Sequence, residues 1–218
     1  MKPVVIGIDD FSQFKARNAF YVDKTGFIKE WWESGDVVTI LLRPRRFGKT
    51  LLLDTVNKFF SLEYKGRADL FEGLSIMQDE KMAAIQGTKP VISLSFADVK
   101  QRTMADAMER IKSNISDVFS IYRSILDLSK LPKEDEEQYK EYNRHMSTAT
   151  ASGSLKFLSG ILNKYYGQNA LLLLDEYDSP LIEAYTNGYW EEMLEFMQSF
   201  FNSSFKTNVQ RTRPDDWH

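Results

Sequence analysis

The chain has 218 residues, room for one large domain or two small ones, and its net charge of −3 gives no global pull toward nucleic acid or anionic lipid. It has no cysteine, which excludes disulfides and thiolate metal sites, and its two histidines, His145 and His218, lie in polar surroundings with no metal-ligand spacing. A hydrophobic content of 43% with 27% charged residues fits a folded soluble α/β unit rather than a disordered or fibrous chain. The apolar run near the N-terminus, Val4-Val5-Ile6, is too short for a signal peptide, and no segment approaches the roughly 18 apolar residues of a membrane helix, so a cytoplasmic location is expected.

Residues 1–35 read as an extended lead-in followed by a helix. Tyr21-Val22-Asp23-Lys24-Thr25 precedes Phe27, Ile28, Trp31 and Trp32, whose spacing makes one apolar helical face. The β-branched, apolar run from Val37 to Leu42 predicts a strand. It ends in a basic turn carrying Gly48-Lys49-Thr50, and a helical pattern (Leu52, Val56, Phe59, Phe60) follows at once. Strand, glycine turn and helix in this order make a phosphate loop: the unpaired N–H groups and positive dipole end of the helix face an anion. In that reading Gly48 lets the backbone approach, Lys49 reaches the β- and γ-phosphates, and the Thr50 hydroxyl ligates Mg²⁺. Arg43 stands where the general GxxxxGK[ST] pattern has its first glycine. The plainer alternative is a basic turn before an ordinary amphipathic helix.

Further on, Leu70, Phe71 and Leu74 predict a packed turn, and Gly87-Thr88-Lys89-Pro90 leads into a strand from Val91 to Phe96. Met104, Met108, Ile111, Ile115, Val118, Tyr122 and Ile125 form the core-facing stripe of a long helix. The acids after Lys133 suit a solvated helix start, Thr148 to Ser154 reads as a small-residue break, and Leu155 to Tyr165 builds a helix that Gly167 can stop. Ala170 to Leu174 is a buried-strand run ending in Asp175-Glu176, the form of a Walker B motif. There Asp175 would hold Mg²⁺ and Glu176 would polarise the attacking water; the alternative is a strand end with solvated acids. Ser179 as a capping residue before Pro180 at the first helical position begins another helix, and Trp190, Met193, Leu194, Met197, Phe200 and Phe201 make one more amphipathic helix.

Together, Ile6-Gly7-Ile8-Asp9-Asp10-Phe11, Tyr21-Val22-Asp23-Lys24-Thr25, Arg43-Pro44-Arg45-Arg46-Phe47-Gly48-Lys49-Thr50, Pro90-Val91-Ile92-Ser93-Leu94-Ser95-Phe96 and Leu174-Asp175-Glu176-Tyr177-Asp178-Ser179-Pro180 resemble the AAA-ATPase-like family of P-loop proteins. That family lies close to the STAND signalling ATPases, and Arg43 in place of glycine is part of its pattern. The resemblance implies a P-loop NTPase three-layer α/β/α core with a mainly parallel sheet of the ASCE type, in strand order 5-1-4-3-2. It implies ATP and Mg²⁺ as ligands, with Arg43, Arg45, Arg46, Phe47, Gly48, Lys49, Thr50 and Leu51 at the nucleotide, Thr50 and Asp175 at the metal, and Glu176 and Lys49 in catalysis. By the same resemblance Phe20, Tyr21 or Asp23 lines the base pocket; the alternative for these is a helix cap with aromatics in the core. Hydrolysis of ATP as a switch or mechanical step is the expected activity. A non-hydrolysing nucleotide-binding module and a nucleic-acid-associated ATPase partnering a nuclease-like domain are the alternatives, and self-association is a further expectation. The family pattern covers residues 1–208, and the charged stretch 209–218 carries no central strand, so an ATPase core lacking its C-terminal strands is expected.

Overall fold

The computed structural model describes residues 3–5, 7–42 and 47–208, with side chains through residue 204. It divides into two compact units, Met1–Val91 and Ile92–Arg211.

The first unit is helical. Its elements are α1 (Phe11–Ala16), α2 (Gly26–Ser34), α3 (Lys49–Phe60) and α4 (Glu80–Ile85), with short 3-10 turns between the last two. α3 carries the predicted stripe inward, with Leu52, Val56, Phe59 and Phe60 buried. Phe71 stacks on Phe11 at 5.1 Å between ring centroids and meets Phe59 edge-on at 5.2 Å, which joins α1 to the C-terminal end of α3. A buried charge makes the same connection. The Lys58 side chain is 4% exposed and donates to Asp10 Oδ1 at 2.5 Å and Asp54 Oδ2 at 2.6 Å. Asp54 Oδ2 also accepts from the Phe11 N–H at 2.6 Å, so both ends of the α1 entry turn are tied to α3.

The second unit begins at β1 (Val91–Ser95) and continues through α5 (Met104–Ile125), α6 (Lys133–Glu141), α7 (Thr148–Ser152), α8 (Ser154–Tyr166), β2 (Leu171–Asp175), α9 (Ser179–Asn187) and α10 (Trp190–Asn208). β1 and β2 pair in parallel, the ladder running on to a Phe96 N–H to Asp175 C=O bond of 3.0 Å. The α5 stripe is buried from Met108 to Tyr122, while Met104 is half-buried and Ile125 at the helix end is exposed; α10 packs on α7, α8 and α9. Among the described residues no helix is long and apolar enough to cross a membrane.

Two expectations need correction. Val37 to Leu42 is not a strand: it has no ladder partner among the described residues, and Val38, Ile40 and Leu42 are 48%, 60% and 85% exposed. A strand is defined by its neighbours, and an apolar, β-branched run without a ladder partner does not become one. The observed pair, β1 beside β2, is compatible with an α/β fold. Of Thr148 to Ser154, expected as a break, Thr148–Ser152 is helical and Gly153 alone interrupts before α8. Ser147 accepts from the Thr150 N–H, Ala151 is fully buried, and Ser203 on α10 donates to the Ser152 carbonyl. Capping and packing override weak propensity there.

The Lys58 cluster yields a stability test. Lys58→Met removes the charge at nearly constant volume and leaves Asp10 and Asp54 facing each other. The expected loss in guanidinium unfolding is about 3 kcal/mol, the low end for a broken buried pair because Asp10 is partly solvated. The bond from Lys58 holds the Asp10 carboxyl below its ordinary value. Its contribution is therefore full above the unfolded aspartate value of about 3.9 and is lost as pH falls through the lowered pKa, so wild type and variant should converge in acid.

Candidate functional site

The predicted phosphate-loop residues sit at the start of α3. Gly48 is its N-cap, in the left-handed region at φ +73°, and Lys49 and Thr50 are the first two helical residues. Among the described residues no side chain caps this end, and the first turn holds no acid. A lysine at a helix N-terminus opposes the macrodipole, a local conflict that an anion at the N–H groups would relieve. Among the described residues, neither Lys24 nor Lys49 has a carboxylate partner. Phe47 is exposed, while Arg43, Arg45 and Arg46 lie outside the described residues.

Beside this helix start is a cavity of about 190 Å³, lined by Phe14, Phe20, Tyr21, Lys24, Gly48 and Leu51 among others. It is smaller than the roughly 300–1,000 Å³ of whole-ligand clefts, a size suited to one planar ring. Tyr21 packs edge-on against Phe11 and Phe14 at 5.2 and 5.6 Å, so it serves both core and cavity. Burial raises its pKa and so favours the protonated phenol, a hydrogen bond with Thr55 opposing that shift in part. Asp23 does not line the cavity. Its Oδ1 accepts from the Thr25 N–H and hydroxyl at 2.9 and 2.6 Å, and its Oδ2 from the Ser75 N–H at 2.8 Å. Burial works to raise the Asp23 pKa, but these donors hold it below the usual value. Thr25 is the N-cap of α2 without a side-chain cap bond, Asp23 holds the turn before it, and Phe20 and Tyr21 line the cavity.

The second half of the predicted site is the turn after β2. Asp175 ends the strand with its Oδ1 accepting from the Glu176 N–H at 3.0 Å, and the buried Ser179 donates its hydroxyl to Glu176 Oε2 at 3.0 Å. Glu176 has φ +47°, and Asn18 is the other non-glycine residue with positive φ among the described residues. A glutamate in this region is strained, and such strain collects at functional turns. Sequence reasoning missed Ser179 as a partner of Glu176, reading it as the cap of α9; Asp178 holds that position. Among the described residues no group of three or more acids or histidines forms a metal cluster. Mg²⁺ held by one or two protein oxygens and by phosphates does not require one.

A mostly helical α/β chain with a glycine-lysine-threonine helix start belongs to a wide class, and the comparisons narrow it. The model of a family described as predicted AAA-ATPase matches residues 5–212, and the chain belongs to this AAA-ATPase-like family. A protein of Azotobacter chroococcum described as an uncharacterized protein in the vnfD 5' region is 30% identical over 186 residues, covering 85% of this chain and 31% of that relative. The chain therefore spans about a third of that relative's length. No solved structure matches it.

The strained turn gives a paired test. Glu176→Gly and Glu176→Ala both delete the carboxylate, but only glycine accepts φ +47° freely. The glycine variant should be the more stable by about 1 kcal/mol in chemical unfolding; equal midpoints would show that the turn relaxes out of the left-handed region.

Proposed function

We propose that this chain is the nucleotide-binding core of a Mg²⁺-dependent ATPase with a three-layer P-loop architecture. The observation that carries this reading is the α3 start: a left-handed glycine, then Lys49 and Thr50, with no cap, no acid and a ring-sized cavity alongside. The Gly48 to Leu51 N–H groups and the Lys49 ammonium would hold the phosphates, and Phe20, Tyr21 and Leu51 would receive the base. Bound Mg²⁺ supplies neutralisation of charge on the phosphate oxygens, with Thr50 and Asp175 as its protein oxygens. Glu176, held by Ser179, takes the proton of the attacking water as ATP becomes ADP and phosphate. The turnover serves as a switch or mechanical step in a cytoplasmic protein. Nuclease-like partnership, self-association and nucleic-acid contact through Arg43, Arg45 and Arg46 belong to this proposal only as extensions of the family resemblance.

Binding is tested by melting. At about a hundredfold excess over its dissociation constant, Mg-ATP should add roughly 2.7 kcal/mol of stability, and Lys49→Ala should abolish this shift while folding normally. A wild type whose melting ignores Mg-ATP contradicts the nucleotide reading. Turnover separates the two forms of the proposal. Glu176→Gln should keep ATP bound and slow hydrolysis about 10²- to 10⁴-fold. Equal rates in wild type and variant would remove Glu176 from catalysis and favour a module that binds without hydrolysing.

A further inference from the structure

Lys24 has no role in the phosphate-loop motif, yet it lines the cavity beside Gly48. A Cβ built on Gly48 would stand 3.9 Å from Lys24 Nζ, so the ammonium lies over the backbone of the loop glycine. Its backbone is held on both sides. Asp23 is fixed by Thr25 and Ser75, Thr25 is fully buried with its hydroxyl accepting from the Ile76 N–H at 3.3 Å, and the Phe27 N–H donates to the Lys24 carbonyl at 3.1 Å. Between two anchored neighbours, the exposed Lys24 side chain emerges toward α3 with no carboxylate partner among the described residues. Structural ion pairs elsewhere in the unit, such as Lys29 with Asp79 at 2.5 Å, show how lysines there are ordinarily satisfied.

Resting on the nucleotide reading above, we propose that Lys24 is a second phosphate-binding cation of the same site, one that makes it selective for nucleoside di- and triphosphates over monophosphates. The N–H groups at a phosphate-loop glycine and the residues after it surround the phosphate next to the terminal one in a triphosphate. An ammonium over Gly48 meets that group, which ADP and ATP share and AMP lacks. Lys49 approaches along the helix start and Lys24 from the anchored turn, so the two charges flank one anion rather than compete for separate ones. Their mutual repulsion, next to a positive helix end, is the cost of preorganisation that a polyphosphate offsets.

The test is calorimetric titration of the full 218-residue chain with Mg-ATP, Mg-ADP and AMP, for wild type, Lys24→Gln, Lys24→Arg and Lys49→Ala. Lys24→Gln should weaken ATP and ADP about tenfold, leave AMP within about twofold, and lower the salt dependence of ADP binding, while Lys24→Arg restores most of the loss. Lys24 is exposed, so its variants should melt as the wild type does, and a Gln variant that unfolds early is replaced by Lys24→Met in the same series. Unchanged ADP affinity in Lys24→Gln, with Lys49→Ala still deficient, overturns the Lys24 assignment and spares the nucleotide reading. An equal loss for AMP and ADP overturns the selectivity and makes Lys24 a contact of the nucleoside end. A wild type that binds none of the three overturns the nucleotide reading and this proposal with it.

Discussion

α3 is satisfied along its buried face and unsatisfied at its N-terminus, and that asymmetry organises the first unit. Phe59 and Phe60 fix its C-terminal half, and Lys58 ties it to Asp10 at the entry of α1. At the other end, among the described residues, no side chain caps the helix start, and Gly48 meets an aromatic cavity and the ammonium of Lys24. Placing positive charge at the positive end of a helix is locally unfavourable by a fraction of a kcal/mol to about 1 kcal/mol. A folded chain keeps such a conflict where binding resolves it.

The second unit holds its acids on a different principle. β2 ends in a carboxylate turned onto the next backbone N–H, and the chain then reverses through Glu176 in the left-handed region before α9 begins. Ser179, buried at the first position of α9, clamps the glutamate from the far side of the turn. Strand, strained turn and helix therefore fix one side chain by backbone geometry and another by a hydroxyl. Local precision of that kind is what acid–base chemistry needs and what a merely solvated strand end does not.

Much of this was legible in the sequence where the signal is local. The stripes of α3 and α5, the run leading to Asp175, and Gly167 as the stop of α8 follow from period, composition and one left-handed position, and each is observed. The extended run Val37 to Leu42 was misread because strand formation depends on partners elsewhere in the chain, which a β-branched pattern does not reveal. α7 was missed because Ala and Ser carry no apolar period and its helix rests on Ser147 and on α10. Lys24 sat within the motif at Tyr21 to Thr25 with no role read for it. Only the anchoring of Asp23 and Thr25 shows that the residue between them is aimed at Gly48, and only the dihedral angle distinguishes Glu176 from any other acid after a strand.

The central claim is that the free N–H groups at the start of α3 bind phosphate. Amide hydrogen exchange on the intact chain, with and without Mg-ADP, reads those groups directly. The account expects slowed exchange at Gly48, Lys49, Thr50 and Leu51, with smaller protection at Tyr21 and Lys24 and none at the α4 amides. Unchanged exchange at residues 48–51 under saturating Mg-ADP would contradict it.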